Sequence, residues 1–381
     1  MRRRAFLGSI PLMATFGRAA GRDRVVIAGA GIMGASIGYH LAKRGARVTI
    51  VEKERPGAGA TQNSFAWINA TFSKRPRSYF DLNLAGIAGW RRLSLEFGSE
   101  LQIQWGGSVE WAAPGADADK LRTSVRRHED WGYAAHAIDA AEMASLLPAV
   151  SPGPVGAACF SEIEGTLDPM HALGVLLSKA KEAGADVQHP CEVTGISISG
   201  GRVKAVETTR GRMEADYFVI AAGTGSTQLA RMAEVNVPLK ESPGALAHTR
   251  PMKRMLDHVA LAPGATIKQN PDGRIVTGTD FGGSPVTEAT REYGMTLVRN
   301  ASRFLPALEA AELETTTLGH RVLPLDEYPI VGFTGRCPNL YIAAMHSGIT
   351  LSPLIGQVAA MEILDGANVD LLKPYRPARF A

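Results

Sequence analysis

The sequence predicts an α/β fold built on a parallel sheet, and three observations carry that prediction. Residues 25–52, VVIAGAGIMGASIGYHLAKRGARVTIVE, read as strand, glycine turn, helix, strand and acid. Two further buried-strand runs, near 217–222 and 340–344, each end in a loop of small residues. Residues 99–149 and 233–319, in contrast, lack strand–helix–strand spacing. Segments 103–111 and 274–279 within them read as strands flanked by turns, which adds an α+β component.

In the first unit, Val25, Val26 and Ile27 form a short buried strand. Gly29, Gly31 and Gly34 then give G-x-G-x-x-G, and Gly38 follows one helical turn later. The first glycine allows a tight turn, and the second lets a pyrophosphate approach the backbone. Gly34, with Gly38, lets the helix lie close to the sheet. The helix start at Ile32 and Met33 offers N–H groups and a positive dipole end to phosphates. The next strand, 47–51, is closed by Glu52 and followed by Lys53. A carboxylate there accepts hydrogen bonds from both hydroxyls of an adenosine ribose and repels a 2′-phosphate, which disfavours NADP. This order predicts a Rossmann-like dinucleotide site. A glycine-rich helix in an ordinary core would not account for the acid.

Residues 57–69 follow, with Ala60 and Thr61 among small and hydroxyl residues suited to wrapping a cofactor closely. Phe65, Trp67 and Ile68 fit poorly with a loop in water. Asp168 before Pro169 reads as a helix cap and start, and the helix 170–183 stops at Gly184. Val187, Val193 and Ile196 are strand residues, and Gly200-Gly201 turns a strand pair. The run 217–222 is a buried strand ending at Ala222, Gly223 and Gly225, where glycine permits close approach to a ligand. Near the C-terminus, strand 340–344 runs into Met345-His346-Ser347-Gly348-Ile349. A helix over 353–364 then stops at Gly366, giving a third strand–loop–helix unit whose helix N-terminus can face a cofactor.

Composition narrows the function class. A chain of 381 residues can hold two cores, and 20% charged residues is ordinary for a globular protein. No run of about 18 apolar residues suggests a transmembrane helix, and no repeats or low-complexity tracts are present. Cys159, Cys191 and Cys337 are far apart and form no metal or disulfide pattern, so no metal is expected. Lys and Arg outnumber Asp and Glu by 41 to 37. Arg2, Arg3, Arg4 and Arg18 lie in residues 1–19, which contain no acid, so the remainder is neutral and offers no case for nucleic-acid binding. Arg3-Arg4-x-Phe6-Leu7 resembles a bacterial twin-arginine signal, which implies periplasmic export of a folded, cofactor-loaded protein. An unprocessed basic tail on a cytoplasmic protein is the alternative.

Three segments beyond the glycine fingerprint resemble the D-amino-acid oxidase, glycine oxidase and sarcosine oxidase family of FAD-dependent oxidoreductases. They are SEIEGTLDPMHALGVLLSKAKEAGADV, ADYFVIAAGTGS, and GHRVLPLDEYPIVG with LYIAAMHSGITLSPLIGQVAA. The resemblance covers most of 24–365. It implies a Rossmann-like FAD-binding domain with a parallel sheet (22–98, 150–232 and 320–381), interleaved with an antiparallel-sheet substrate domain (99–149 and 233–319). It also implies hydride removal from the C–N carbon of an amino acid or secondary amine to the flavin, hydrolysis of the imine to an oxo acid, and reoxidation by oxygen or a quinone-type acceptor. The position matching the covalent-flavin cysteine of sarcosine oxidase is Gly319, so the FAD is expected to be noncovalent, held by Gly29, Gly31, Ile32, Met33, Gly34, Glu52, Lys53, Ala60, Thr61, Val193, Ala222, Gly223, Ser347, Gly348 and Ile349.

For the substrate, Arg321 matches the arginine that pairs with the carboxylate in glycine and D-amino-acid oxidases, and a guanidinium fixes position and angle together. Its alternative is a surface pair with Asp326 or Glu327. His346 lies in the loop expected beside the flavin ring, where a neutral imidazole would bond substrate or a protonated one would support reduced flavin. The alternative is a loop histidine bonding only backbone. Trp67 and Asn69 lie where this family's second loop faces the cavity. Ala66 and Asn69 replace arginines of sarcosine oxidase, which argues against transferring sarcosine specificity. His248 and Tyr328 are further pocket candidates. Three other readings compete: a 2-hydroxy-acid donor, which Arg321 serves equally; a nicotinamide-dependent dehydrogenase; and a flavin-binding partner subunit without turnover.

Overall fold

The computed structural model describes residues 23–72, 74–279 and 286–381; the twin-arginine segment expected over 1–19 lies outside them. A six-stranded sheet forms one core. Its strand order is Ile330–Phe333, Leu340–Ala344, Tyr217–Ile220, Arg24–Ala28, Arg47–Val51 and Asp186–Gln188. All neighbours are parallel except the Ile330–Phe333 edge. Both faces of this sheet are covered, so its strands are apolar throughout rather than alternating. Val25 and Ile27 face one cluster with the helices, while Val26 and Ala28 face another with Val203, Val206 and Phe218.

The helix Ile32–Lys43 follows the first strand. A Cβ at Gly34 would stand 1.9 Å from the Gly29 carbonyl oxygen, and one at Gly38 would stand 2.5 Å from Ile50 Cδ1. Both glycines therefore let this helix lie against the sheet. The helix Pro169–Glu182 is capped by Asp168, whose carboxylate accepts the N–H groups of Met170 at 2.9 Å and His171 at 2.8 Å.

Two helices that pack together near the glycine-rich unit depart from the sequence reading, which also left Ala116–Asp130 and Arg291–Ser302 unassigned. The last long helix spans Gly348–Asp365, five residues earlier than the expected start at Pro353. An interior proline leaves the carbonyl four residues back without its usual N–H partner. Here that carbonyl, of Ile349, accepts Trp90 Nε1–H at 2.8 Å and the Ser352 hydroxyl at 3.2 Å instead. Trp90 lies on the second departure, the helix Arg77–Phe97, which the sequence reading left unassigned. Its buried stripe (Tyr79, Asn83, Gly86, Trp90, Leu93 and Phe97) has helical spacing, and Gly86 and Gly89 let it approach Thr350 and Pro353 closely.

The second sheet has eight strands: Leu313–His320, Pro243–Thr249, Ile275–Gly278, Ala265–Gln269, Val259–Ala262, Ser108–Ala112, Ala157–Ser161 and Ala135–Ala137. It is antiparallel except where Val259–Ala262 runs parallel to Ser108–Ala112. The strand expected over 103–111 is formed only from Ser108, because Gln104 makes an isolated bridge to Thr166 instead. Ala157–Ser161, counted with the cofactor unit by the sequence reading, pairs in this sheet. The helix Arg291–Ser302 covers one face and closes a separate apolar core.

The C-terminal segment is tied down by one buried charge. Glu362 is 2% exposed and accepts hydrogen bonds from Tyr341 Oη at 2.8 Å, Val369 N–H at 3.1 Å and Arg376 Nη1 at 2.9 Å. Removing only the cation leaves an uncompensated buried carboxylate. Arg376→Met should cost about 3–5 kcal/mol, read as a lower urea midpoint. Glu362→Leu in the same chain should restore much of that loss.

Candidate active site

A cavity of about 380 Å³ lies at the carboxyl ends of the central parallel strands, where ligands bind in open α/β sheets. The turns after Ala28, Val51, Ile220 and Ala344 wall one side, and residues of the second sheet, including Gly244, Leu246, Thr266 and Gly278, wall the other.

At its glycine end the wall is backbone. Gly29 has φ +108°, and a Cβ there would stand 2.4 Å from the Ala221 carbonyl oxygen. Gly31 is in extended backbone, and a Cβ there would meet only Thr61 Oγ1, at 3.1 Å. That same oxygen accepts the Ile32 N–H at 3.1 Å. Glu52 accepts the N–H of Ala30 at 3.0 Å and of Glu54 at 3.1 Å, which fixes the acid beside the glycine turn. A second helix N-terminus reaches the cavity at Gly348, after Ser347 in left-handed backbone (φ +58°). Neither helix carries an acid in its first turn. Ala66 is also left-handed (φ +58°), held by its N–H to Ser64 Oγ at 3.0 Å and by its carbonyl, which accepts Thr166 Oγ1–H at 3.0 Å. Two strained non-glycine residues on one cavity wall mark a shape maintained against local preference.

Of the cofactor residues expected from the sequence, Gly29, Gly31, Ile32, Met33, Glu52, Lys53, Ala60, Thr61, Ala222, Gly223, Ser347, Gly348 and Ile349 line the cavity. Gly34 does not; its role is the close packing described above. Val193 lies among Val203, Val206 and Cys191 in the apolar cluster behind the sheet.

Of the substrate candidates, Arg321, His346, Trp67 and Asn69 share the cavity, whereas His248 and Tyr328 do not. His248 bonds Thr317 Oγ1 at 3.2 Å across to the neighbouring strand Leu313–His320. Tyr328 packs edge-on against Tyr79, with ring centroids 5.5 Å apart. The surface pairs proposed as alternatives for Arg321 are not formed: Asp326 is held by Arg379 at 2.7 Å and Glu327 by Lys240 at 2.7 Å. Burial, with the nearby charges of Lys74 and Arg321, pushes the His346 imidazole down to about 3. In this setting the ring favours its neutral form.

The sequence reading missed Lys74, which stands at 6% exposure on the cavity wall. Its Nζ donates to Ser347 Oγ at 2.6 Å, and burial lowers its pKa to about 8. In the run Lys74-Arg75-Pro76-Arg77 it reads as one of several surface cations; only the tertiary packing buries it. Phe72, Thr266 and Thr279 also line the cavity without a local sequence signal.

These residues fit FAD. The Cβ-free cradle and two helix N-termini suit its phosphates, Glu52 suits its ribose, and Asn69 Oδ1 is a buried acceptor without a hydrogen-bond partner among the described residues. The three cysteines are buried and none lines the cavity. Gly319 does line it, but a Cβ there would stand 2.5 Å from Asn63 Cβ, so this wall has no room for the cysteine of a covalent link. Among the described residues no cluster of His, Cys, Asp and Glu could hold a metal, and no helix is long and apolar enough to cross a membrane.

Residues 24–361 match the DAO family, FAD dependent oxidoreductase. A glycine oxidase of Bacillus licheniformis is 26% identical over 359 residues, covering 90% of this chain and 93% of that one. The crystal structure of glycine oxidase from Geobacillus kaustophilus superposes with a TM-score of 0.86 at 24% identity, over 94% of this chain and 99% of that one. L-proline dehydrogenase from P. horikoshii gives 0.85 at 24% identity, over 95% and 98%. The chain belongs to the DAO family of FAD-dependent oxidoreductases, and its cofactor is FAD.

The glycine cradle can be tested without unfolding the protein. Gly31→Val keeps an allowed backbone but fills the space facing Thr61. The variant should retain the native far-UV circular dichroism and be purified without a flavin absorbance band. A variant carrying a full complement of flavin would contradict the assignment.

Proposed function

We propose that this chain oxidises the C–N bond of an amino acid or secondary amine whose carboxylate is anchored by Arg321. The observation that carries the reading is placement. Arg321 shares one cavity with both helix N-termini of the cofactor cradle, and its Nη1 reaches Ser242 Oγ at 3.4 Å. The names of the relatives support the same class: glycine for the glycine oxidases, proline for the proline dehydrogenase, and sarcosine for human sarcosine dehydrogenase, which is 24% identical over 93% of this chain and 41% of that one.

FAD supplies a two-electron acceptor at this site; the chain's own residues prepare the donor. A guanidinium receives a carboxylate bidentately and so fixes the direction of the adjoining C–N bond. Two cations, Arg321 and Lys74, act on this end of the cavity and disfavour a third positive charge. An amine bound here is therefore held in its neutral form, which keeps the lone pair needed to form C=N. Neutral His346 can accept a hydrogen bond from the amine N–H without adding charge. Phe65, Trp67 and Phe72 provide apolar wall that excludes water. The 2-hydroxy-acid reading uses the same anchor, but a hydroxyl gains nothing from the suppression of a cationic form.

Arg321→Ala should lower kcat/KM for the best amino-acid substrate roughly 100- to 1,000-fold, the loss expected when one partner of a desolvated charge pair is truncated. A carboxylate-free amine of the same skeleton should react at similar low rates with both proteins. An Arg321→Ala enzyme within about twofold of the parent on the amino acid would overturn the anchoring role.

A further inference from the structure

We infer that the substrate carries a second anionic group, received by Lys74, so that the site selects aminodicarboxylates over monocarboxylates. The inference rests on the amine-oxidising reading and adds the substrate class. Lys74 is buried in the cavity wall, and its ammonium has three donors. Among the described residues it has one hydrogen-bond acceptor, Ser347 Oγ, and the face of Tyr79, whose ring centre is 5.3 Å away. Among the described residues no carboxylate lies within ion-pair distance of it. The buried acid that acts on it, Glu164, is already engaged: Ala70 N–H, the Thr71 and Ser108 hydroxyls and Tyr133 Oη occupy its two oxygens at 2.7–3.2 Å.

A buried cation with unfilled donors is costly, and proteins keep such a group where a ligand completes it. The carboxylates lining this cavity, Glu52 and Glu54, stand at the glycine end. Among the described residues no lining carboxylate stands within ion-pair distance of Lys74, and its charge acts on the His346 ring. One carboxylate occupies the fork of Arg321. A second, on the other side of the reacting nitrogen or further along the side chain, would give Lys74 its missing acceptor and offset its charge. A flavin oxygen is the competing acceptor for Lys74, and it makes no distinction between mono- and dicarboxylate donors.

The test uses the flavin-loaded enzyme and ligand pairs that differ by one carboxylate: iminodiacetate against N-methylglycine, and each enantiomer of aspartate against the same enantiomer of alanine. Anaerobic flavin reduction gives kcat/KM ratios. Perturbation of the flavin spectrum by thiodiacetate against (methylthio)acetate, which cannot undergo C–N oxidation, gives a ratio of Kd values. The wild-type protein should favour the diacid in at least one pair by roughly 10- to 100-fold, the worth of one charge-assisted hydrogen bond. Lys74→Met should bring that ratio close to one, and Lys74→Arg should keep most of it. A wild-type enzyme without diacid preference would overturn the inference, as would a ratio unchanged in Lys74→Met or equal losses for both members of a pair. If no amine reduces the flavin, the amine-oxidising reading fails by itself, and the thiodiacetate titration still decides whether Lys74 receives an anion.

Discussion

Everything in this molecule that concerns its cofactor depends on one packing constraint: at the end of the first strand, three chain segments meet with backbone touching backbone. Gly29 lies against the carbonyl of Ala221, and Gly34 against the carbonyl of Gly29 itself. No side chain fits at either place, so the helix Ile32–Lys43 is brought down onto the sheet with its N-terminus directed at the space the glycines leave. The neighbouring strand order follows, because the segment touching Gly29 has to be the end of Tyr217–Ile220, the parallel partner of Arg24–Ala28. The same economy recurs at the helix Gly348–Asp365, whose Gly356 lies against Ser36. The cradle is thus a set of positions from which side chains are excluded.

Charge divides the cavity that results. At the glycine end, Glu52 is fixed by the backbone N–H groups of Ala30 and Glu54, a position that suits a ribose. At the other end Arg321 and Lys74 bring positive charge into a wall that also carries aromatic, aliphatic, amide, hydroxyl and imidazole groups. The two cations act jointly on His346 and hold it neutral. We propose that such a site discriminates by charge before it discriminates by shape, favouring carboxylates over ammonium ions. We read its chemistry as the oxidation of a carboxylate-bearing amine on these grounds.

How much of this was visible in the sequence follows from the range of the interactions involved. The first unit was legible almost residue by residue, because its glycine spacing, helix start and acid all fall within residues 25–52, even though the partners that pack against them, Thr61 and Ala221, lie outside. The Asp168 cap was legible for the same reason. The helix Gly348–Asp365 was placed five residues late because a proline usually marks a helix start, and the rule fails here through a distant tryptophan that takes up the orphaned carbonyl. The helix Arg77–Phe97 carries a helical stripe that the reading passed over. Lys74 had no local signal at all: its neighbours are cations, and its burial is created by the Ser347 turn 273 positions away. His248 and Tyr328 were plausible by proximity in sequence to pocket residues, and strand direction and aromatic packing respectively turn them elsewhere.

The central claim, that the cationic end of this cavity receives a carboxylate-bearing amine for oxidation, is tested most directly by anaerobic flavin bleaching. Amino acids and secondary amines would be compared with 2-hydroxy acids of the same skeleton. The account predicts that at least one amine bleaches the bound flavin rapidly while its hydroxy analogue leaves the spectrum essentially unchanged. Bleaching by the hydroxy acid instead, or a flavin that dithionite reduces but no amine does, would contradict it.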